Sequence, residues 1–214
     1  MAPNGDILVG SEQGLRILNP ITTDNLNLLE FGGRVFSVDC TDTHIFLGVQ
    51  VMKKIRTTVI TLDAQYNETN RWTIKRNSVD LADIGDKICM THGMYEKISQ
   101  YNIASGELIA EIKCDSPSDS VSGCLDNSFV VTNEDKNTVE KIDIVDDSLQ
   151  RRWVLEGIIK PFSMTVDSQG VTWARSNRYD QITRISKHGE LKGIEQSFNI
   201  MNEPSLTNLS NSLV

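Results

Sequence analysis

Hydrophobic and polar positions along the chain fall into short alternating runs, broken at regular intervals by Gly, Asn, Asp and Ser. Alternation at period two marks β-strands with one face buried, and the polar breaks supply turn chemistry. The third unit shows the pattern most fully. Ser78 to Asp83 reads as a first strand, Gly85-Asp86 as a turn, and Lys87 to Thr91 as a second strand. Lys97 to Ile103 follows as a third strand, Ala104-Ser105-Gly106 as a turn, and Glu107 to Ile112 as a fourth.

This unit recurs. Ile7, Ile45, Ile88, Phe129 and Val171 each open an apolar run, and Leu18, Leu62, Ile103, Ile144 and Ile185 close the next one. Both series step by roughly 40 residues, the period of a four-stranded propeller blade. The expected fold is therefore all-β, a β-propeller of about five four-stranded antiparallel blades. The first unit offers only three strands, Gly5 to Gly10, Leu15 to Leu18 and Asn27 to Phe31. Phe198 to Glu203 resembles the first strand of unit five, Phe162 to Asp167, and is expected to complete the first blade, because an open strand edge is a liability. The alternative is an arc cut from a larger propeller. On this reading residues 1–203 form the propeller and 204–214 a polar tail.

The stretch Pro161 to Ala174, with Gln181-Ile182-Thr183-Arg184-Ile185 and Gly189-Glu190-Leu191, resembles an NHL repeat. Asn4 to Val9 with Gly14 to Asn19 looks like the same pattern. Units three and four look more like degenerate WD repeats, as in Gln100 to Leu108, although the Gly-His and Trp-Asp dipeptides are absent. The resemblance implies a recognition platform, as in the C-terminal propellers of tripartite-motif ubiquitin ligases. Fold alone does not fix function.

Bulk properties narrow the classes. A formal charge of −8 argues against a surface that grips nucleic acid everywhere, while leaving room for local basic loops. No apolar run is long enough to cross a bilayer, so no membrane association is expected. Met1 to Asp6 lacks the basic and apolar parts of a secretory signal. Cys40, Cys89, Cys114 and Cys124 form no C-x-x-C pair and read as free thiols, which favours a cytoplasmic location. The sequons at Asn67 and Asn208 point the other way.

Catalytic chemistry finds little support. His44, His92 and His188 lie in different units and in no triad motif, and His92 is expected to be partly exposed at a rim. No His or Cys spacing suits zinc, and Asp146-Asp147 reads as a turn, so neither metal nor cofactor is expected. Asp39, Asp83 and Asp167 end first strands and are expected to cap turns, with a meeting near the axis as the alternative. Trp72, Trp153 and Trp173 read as packing groups.

Binding is the favoured activity. Loops joining second to third strands, and fourth strands to the next unit, emerge on one rim. There they present Arg34, Lys53, Lys54, Arg56, Arg76, Tyr95, Arg178 and Tyr179, which are the candidate partner-binding residues. Arg and Tyr on a rigid scaffold suit a protein partner. They also suit single-stranded RNA, which is the alternative. A metal-dependent propeller hydrolase or lyase is the third and weakest reading.

Overall fold

A computed structural model describes residues 2–51, 55–93, 95–114, 116–178 and 181–196. Among the described residues nineteen strands form five antiparallel sheets, and every sheet is a meander in chain order. Blade one holds β1 (Ile7–Ser11), β2 (Gly14–Leu18) and β3 (Asn25–Leu29). Blade two holds β4 (Arg34–Cys40), β5 (His44–Gln50), β6 (Thr57–Asp63) and β7 (Glu68–Ile74). Blade three holds β8 (Asp80–Ile84), β9 (Lys87–Thr91), β10 (Lys97–Asn102) and β11 (Leu108–Lys113). Blade four holds β12 (Ser120–Cys124), β13 (Ser128–Asn133), β14 (Thr138–Val145) and β15 (Ser148–Glu156). Blade five holds β16 (Pro161–Val166), β17 (Thr172–Ser176), β18 (Gln181–Ile185) and β19 (Leu191–Gln196).

The fold is a five-bladed β-propeller. Its inner strands pack in succession, β1 on β4, β4 on β8, β8 on β12 and β12 on β16. Burial follows from this arrangement. Strands β9 and β13 are covered on both faces by neighbouring blades and are almost wholly buried, whereas the outermost β7 and β15 alternate between half-buried and exposed. The core is thus divided among blade interfaces. Leu15, Val35, Ile45, Leu47 and Ile60 join blades one and two. Phe46, Val59, Leu81, Met90 and Tyr101 join two and three. A third cluster, with Phe129, Val131, Ile142 and Met164, spans blades three to five.

Two polar devices tie the blades together. Asp80, buried in β8, accepts hydrogen bonds from the Ser37 hydroxyl at 2.5 Å and the Ser120 hydroxyl at 2.7 Å, on the two flanking inner strands. It also accepts the N–H groups of Leu81 and Val121, each at 3.0 Å. One carboxylate therefore bridges three blades, and its four donors offset the burial that pushes its pKa up. The second device repeats. On outer strand β7, Trp72 donates its indole N–H to Ile103 O at 3.1 Å and lies over Gly106, while on β15 Trp153 donates to Lys187 O at 3.3 Å and lies over Gly189. Both glycines sit in tight turns with φ of +69° and +82°, and a side chain at either would strike the ring. The tryptophans are packing groups, each latching one blade onto the next.

Blade one has three strands among the described residues, and β1 pairs with β2 alone. The expected completing strand, Phe198 to Glu203, and the tail from 204 lie outside the described residues.

Candidate functional site

Odd strands of each four-stranded blade run one way and even strands the other. The second-to-third loops and the blade-to-blade connections accordingly share one rim, here called upper. Its best-formed feature lies over blades two and three. Ile55 and Arg56 precede β6, Lys75 follows β7, and Tyr95 sits between β9 and β10; together they line an open groove of about 590 Å³. Ile55 is 62% exposed and Tyr95 40% exposed. Arg56 and Lys75 are exposed too, and neither makes an ion pair among the described residues.

The floor beneath Tyr95 is a closed hydrogen-bond network. Arg76 pairs with Glu111 Oε1 and donates to Ser99 Oγ at 3.1 Å, while Lys97 Nζ reaches Glu111 Oε2 at 2.8 Å. Ser99 Oγ donates to Glu111 Oε1 at 2.9 Å. Its single proton is thereby committed, so the 2.9 Å contact with His92 Nε2 is a donation from the imidazole. Nδ1 of His92 is then the bare nitrogen, and it accepts from Ser78 Oγ at 3.0 Å. His92 is neutral and fully buried: desolvation, followed by the Arg76 charge, pushes its pKa down to about 4. Burial pushes Glu111 up, but hydrogen bonds from Arg76, Lys97 and Ser99 overcome it and hold the carboxyl at about 2.

The expectation of a partly exposed His92 is corrected by this geometry. Thr91 and His92 follow the buried centre of β9, and serines at 78 and 99 wall the ring in. On the outside, Tyr95 meets the His92 ring edge-on, with centroids 6.4 Å apart and planes at 87°. The Arg76 guanidinium covers one Tyr95 face at 6.0 Å from the centroid. Tyr95 is consequently held by its edge and one face, and its remaining surface looks into the groove.

Of the candidate partner-binding residues, the structure brings Arg56, Arg76 and Tyr95 together. Arg76 is bound to Glu111 and supports the tyrosine rather than offering a free cation. Arg34, exposed at the start of β4, faces Glu12 at 3.3 Å and does not line the groove. Arg178 is exposed beside Asn177, whose amide reaches across to Glu134 at 3.2 Å, so it belongs to the blade four and five sector. Lys53, Lys54 and Tyr179 lie outside the described residues. Sequence reasoning missed Ile55, Lys75 and the supporting Glu111. An isoleucine inside a basic loop was the available signal for Ile55; nothing local marks Glu111, which meets Arg76 across 35 positions.

The lower face differs in charge. Its turns carry Asp42, Asp63, Asp86, Asp126, Asp146, Asp147 and Asp167 against Lys87 and Lys187. A cavity of about 530 Å³ opens there between the inner-strand ends of blades two to five. Asp39 and Asp83 meet in it: Asp39 accepts the Asp83 N–H at 2.9 Å, and burial followed by the Asp83 charge raises the Asp39 pKa well above the carboxylate range. Asp167, by contrast, caps its own turn through Gln169 and Val171 and accepts the Trp173 indole N–H at 3.1 Å. Among the described residues no three His, Cys, Asp or Glu side chains group as metal ligands. The four cysteines are free thiols, and no helix is long and apolar enough to cross a membrane.

Solved structures share the fold. A protein of unknown function from Bacteroides caccae superposes with a TM-score of 0.73 at 9% identity, over 90% of this chain and 78% of that one. A protein from Lactobacillus plantarum gives 0.72 at 14%, over 92% and 69%. U3-55K gives 0.70 at 9%, over 92% of this chain and 62% of its own. No family model and no curated protein matches the sequence. At these identities the likeness shows the propeller and not an NHL or WD lineage.

Proposed function

We propose that this propeller is a non-catalytic recognition module that binds a protein partner on its upper rim, over blades two and three. The supporting observation is the groove of Ile55, Arg56, Lys75 and Tyr95. It is an exposed apolar pair flanked by two cations that make no ion pair among the described residues, on a floor in which Ser78, His92, Ser99 and Glu111 hydrogen-bond in series. Recognition sites characteristically combine aromatic and Arg anchors with a rigid support. The floor fits support better than catalysis. Ser78 is buried, and His92 is enclosed between two hydroxyls with a pKa far below the range useful to a base at neutral pH. The resemblance of single units to NHL and WD repeats agrees with this role, and the proposal extends to service within a larger cytoplasmic assembly such as a ubiquitin ligase.

RNA is the second reading, supported by Arg56 and Lys75 beside a tyrosine. Two observations weigh against it. Arg76 leaves only one Tyr95 face for stacking, and beyond the groove Asp119, Glu134 and Asp135 interrupt Lys136, Lys160 and Arg178, so the rim offers no continuous basic track for a backbone of phosphates.

The test is photocrosslinking from a benzoylphenylalanine at position 96, exposed beside Tyr95 and outside the groove lining, in cells expressing the tagged chain. The expected result is a discrete protein adduct lost on Tyr95→Ala with Ile55→Ser. An adduct unaffected by those changes, or one made of RNA, refutes the reading. Oligouridylate titrations bear on the alternative, since each phosphate neutralised adds about −0.7 to the slope of log K against log salt.

A further inference from the structure

We infer that the occupant of the upper groove is a short acidic peptide segment carrying an apolar side chain, which enters between Ile55 and Tyr95 while flanking carboxylates meet Arg56 and Lys75. This rests on the reading of the groove as a protein-binding site and names the chemistry of its partner.

Four observations carry it. The first is the supply of free charge. Four cations lie in this sector among the described residues, and Glu111 pairs with both Arg76 and Lys97, leaving Arg56 and Lys75 without an ion pair among those residues. Exposed cations on either side of an apolar pair are complementary to carboxylates flanking an apolar side chain. The second is the apolar pair. An isoleucine exposed to 62% beside a tyrosine exposed to 40% leaves apolar surface in water that a leucine- or phenylalanine-sized group would cover.

The third is the state of the tyrosine. Its ring is already held by Arg76 on one face and His92 at its edge. Little further conformational entropy is lost when the free side is covered, and a single apolar contact is what that side can make. The fourth is extent. The groove, about 590 Å³, accommodates a few side chains. Beyond it, over blades four and five, Asp119, Glu134 and Asp135 are interspersed with Lys136, Lys160 and Arg178, and Lys160 already faces Asp135 at 3.9 Å, so no continuous basic track extends the contact past a short segment.

The experiment is an NMR titration of the isotope-labelled chain with three probes. These are a hexapeptide with Leu-Phe flanked by Asp and Glu, the same peptide with Asn and Gln, and hexauridylate. The acidic peptide should shift Ile55 methyl, Tyr95 ring and Lys75 signals at sub-millimolar concentration, and the amide peptide should bind at least tenfold more weakly. Arg56→Glu with Lys75→Glu should weaken the acidic peptide at least tenfold. Both positions are exposed, so an unchanged thermal melt checks that the fold is kept. Equal binding of the amide peptide, indifference to the charge reversals, preference for hexauridylate, or no shift at millimolar peptide each overturns the inference. Failure here is separable from failure of the recognition reading. A protein adduct at position 96 that needs Tyr95 and Ile55 but survives the charge reversals leaves a partner site whose partner is not acidic.

Discussion

Replacing Gly106 with alanine tests the blade latch against a control in the same blade. Gly106 and Gly85 have nearly equal backbone angles, φ of +69° and +68°. Each alanine variant therefore incurs the same left-handed penalty of about 1–2 kcal/mol. Their surroundings differ. A Cβ at 85 meets nothing within 4 Å, whereas one at 106 lies 2.6 Å from a Trp72 ring carbon and 2.7 Å from another. Since 2.6 Å is inside van der Waals contact, the ring must move and strain the indole hydrogen bond to Ile103 O, worth about 1 kcal/mol net. Overpacking adds about 1–3 kcal/mol. Gly106→Ala should thus be less stable than Gly85→Ala by about 2–4 kcal/mol, a difference of several degrees in Tm for a chain of this size. Equilibrium urea unfolding followed by tryptophan emission measures both, and Gly106→Ala should also red-shift native emission as Trp72 leaves its seat. Equal stability of the two variants would refute the latch.

Other outcomes follow from the same geometry. Asp80→Asn turns one oxygen into a donor facing donors; a serine hydroxyl can rotate to accept from it, but the N–H of Leu81 or Val121 cannot, so a loss of about 1–3 kcal/mol is expected in chemical denaturation, and a variant as stable as the parent would count against the three-blade bridge. His92 is held neutral with its pKa at about 4, so the unfolded chain takes up its proton first as pH falls through about 6.5. Stability present above that pH is lost progressively down to about 4, by up to about 3 kcal/mol. Asp39 and Asp80, whose pKa values are raised, titrate with the opposite sign, so the quantity to measure is the difference between the parent and His92→Gln from pH 7 to pH 4.5; parallel curves would disprove the buried-imidazole account. Glu111→Gln should release Arg76 and broaden the Tyr95 ring signals by NMR, with little change in global stability because the pair is partly exposed; an unaltered ring would show that Tyr95 needs no support from Arg76.

Much of this architecture was legible in the chain. Alternating runs such as Lys87 to Thr91 and turn pairs such as Asp146-Asp147, both of which adopt positive φ, identify strands and turns from local chemistry alone. The equivalence of Trp72 and Trp153 followed from their matching places in the repeat. The candidate site was less legible. Arg56 and Arg76 look alike in sequence, one position before and two positions after a strand pair, yet among the described residues one is paired with a carboxylate and the other is not.

Sequence by itself determined the period, the strand order and the rim on which each loop emerges, because all three follow from neighbours along the chain and the two-residue repeat of the strand. Only the tertiary structure decided which rim charges remain free, which histidine is enclosed and which tyrosine is held. Those outcomes depend on partners 14 to 35 positions away, Ser78 for His92 and Glu111 for Arg76, brought into register by the pairing of β8, β9, β10 and β11. Whether a cation finds a carboxylate across a sheet is a matter of a few ångströms, and a pattern of residue types carries no such distance.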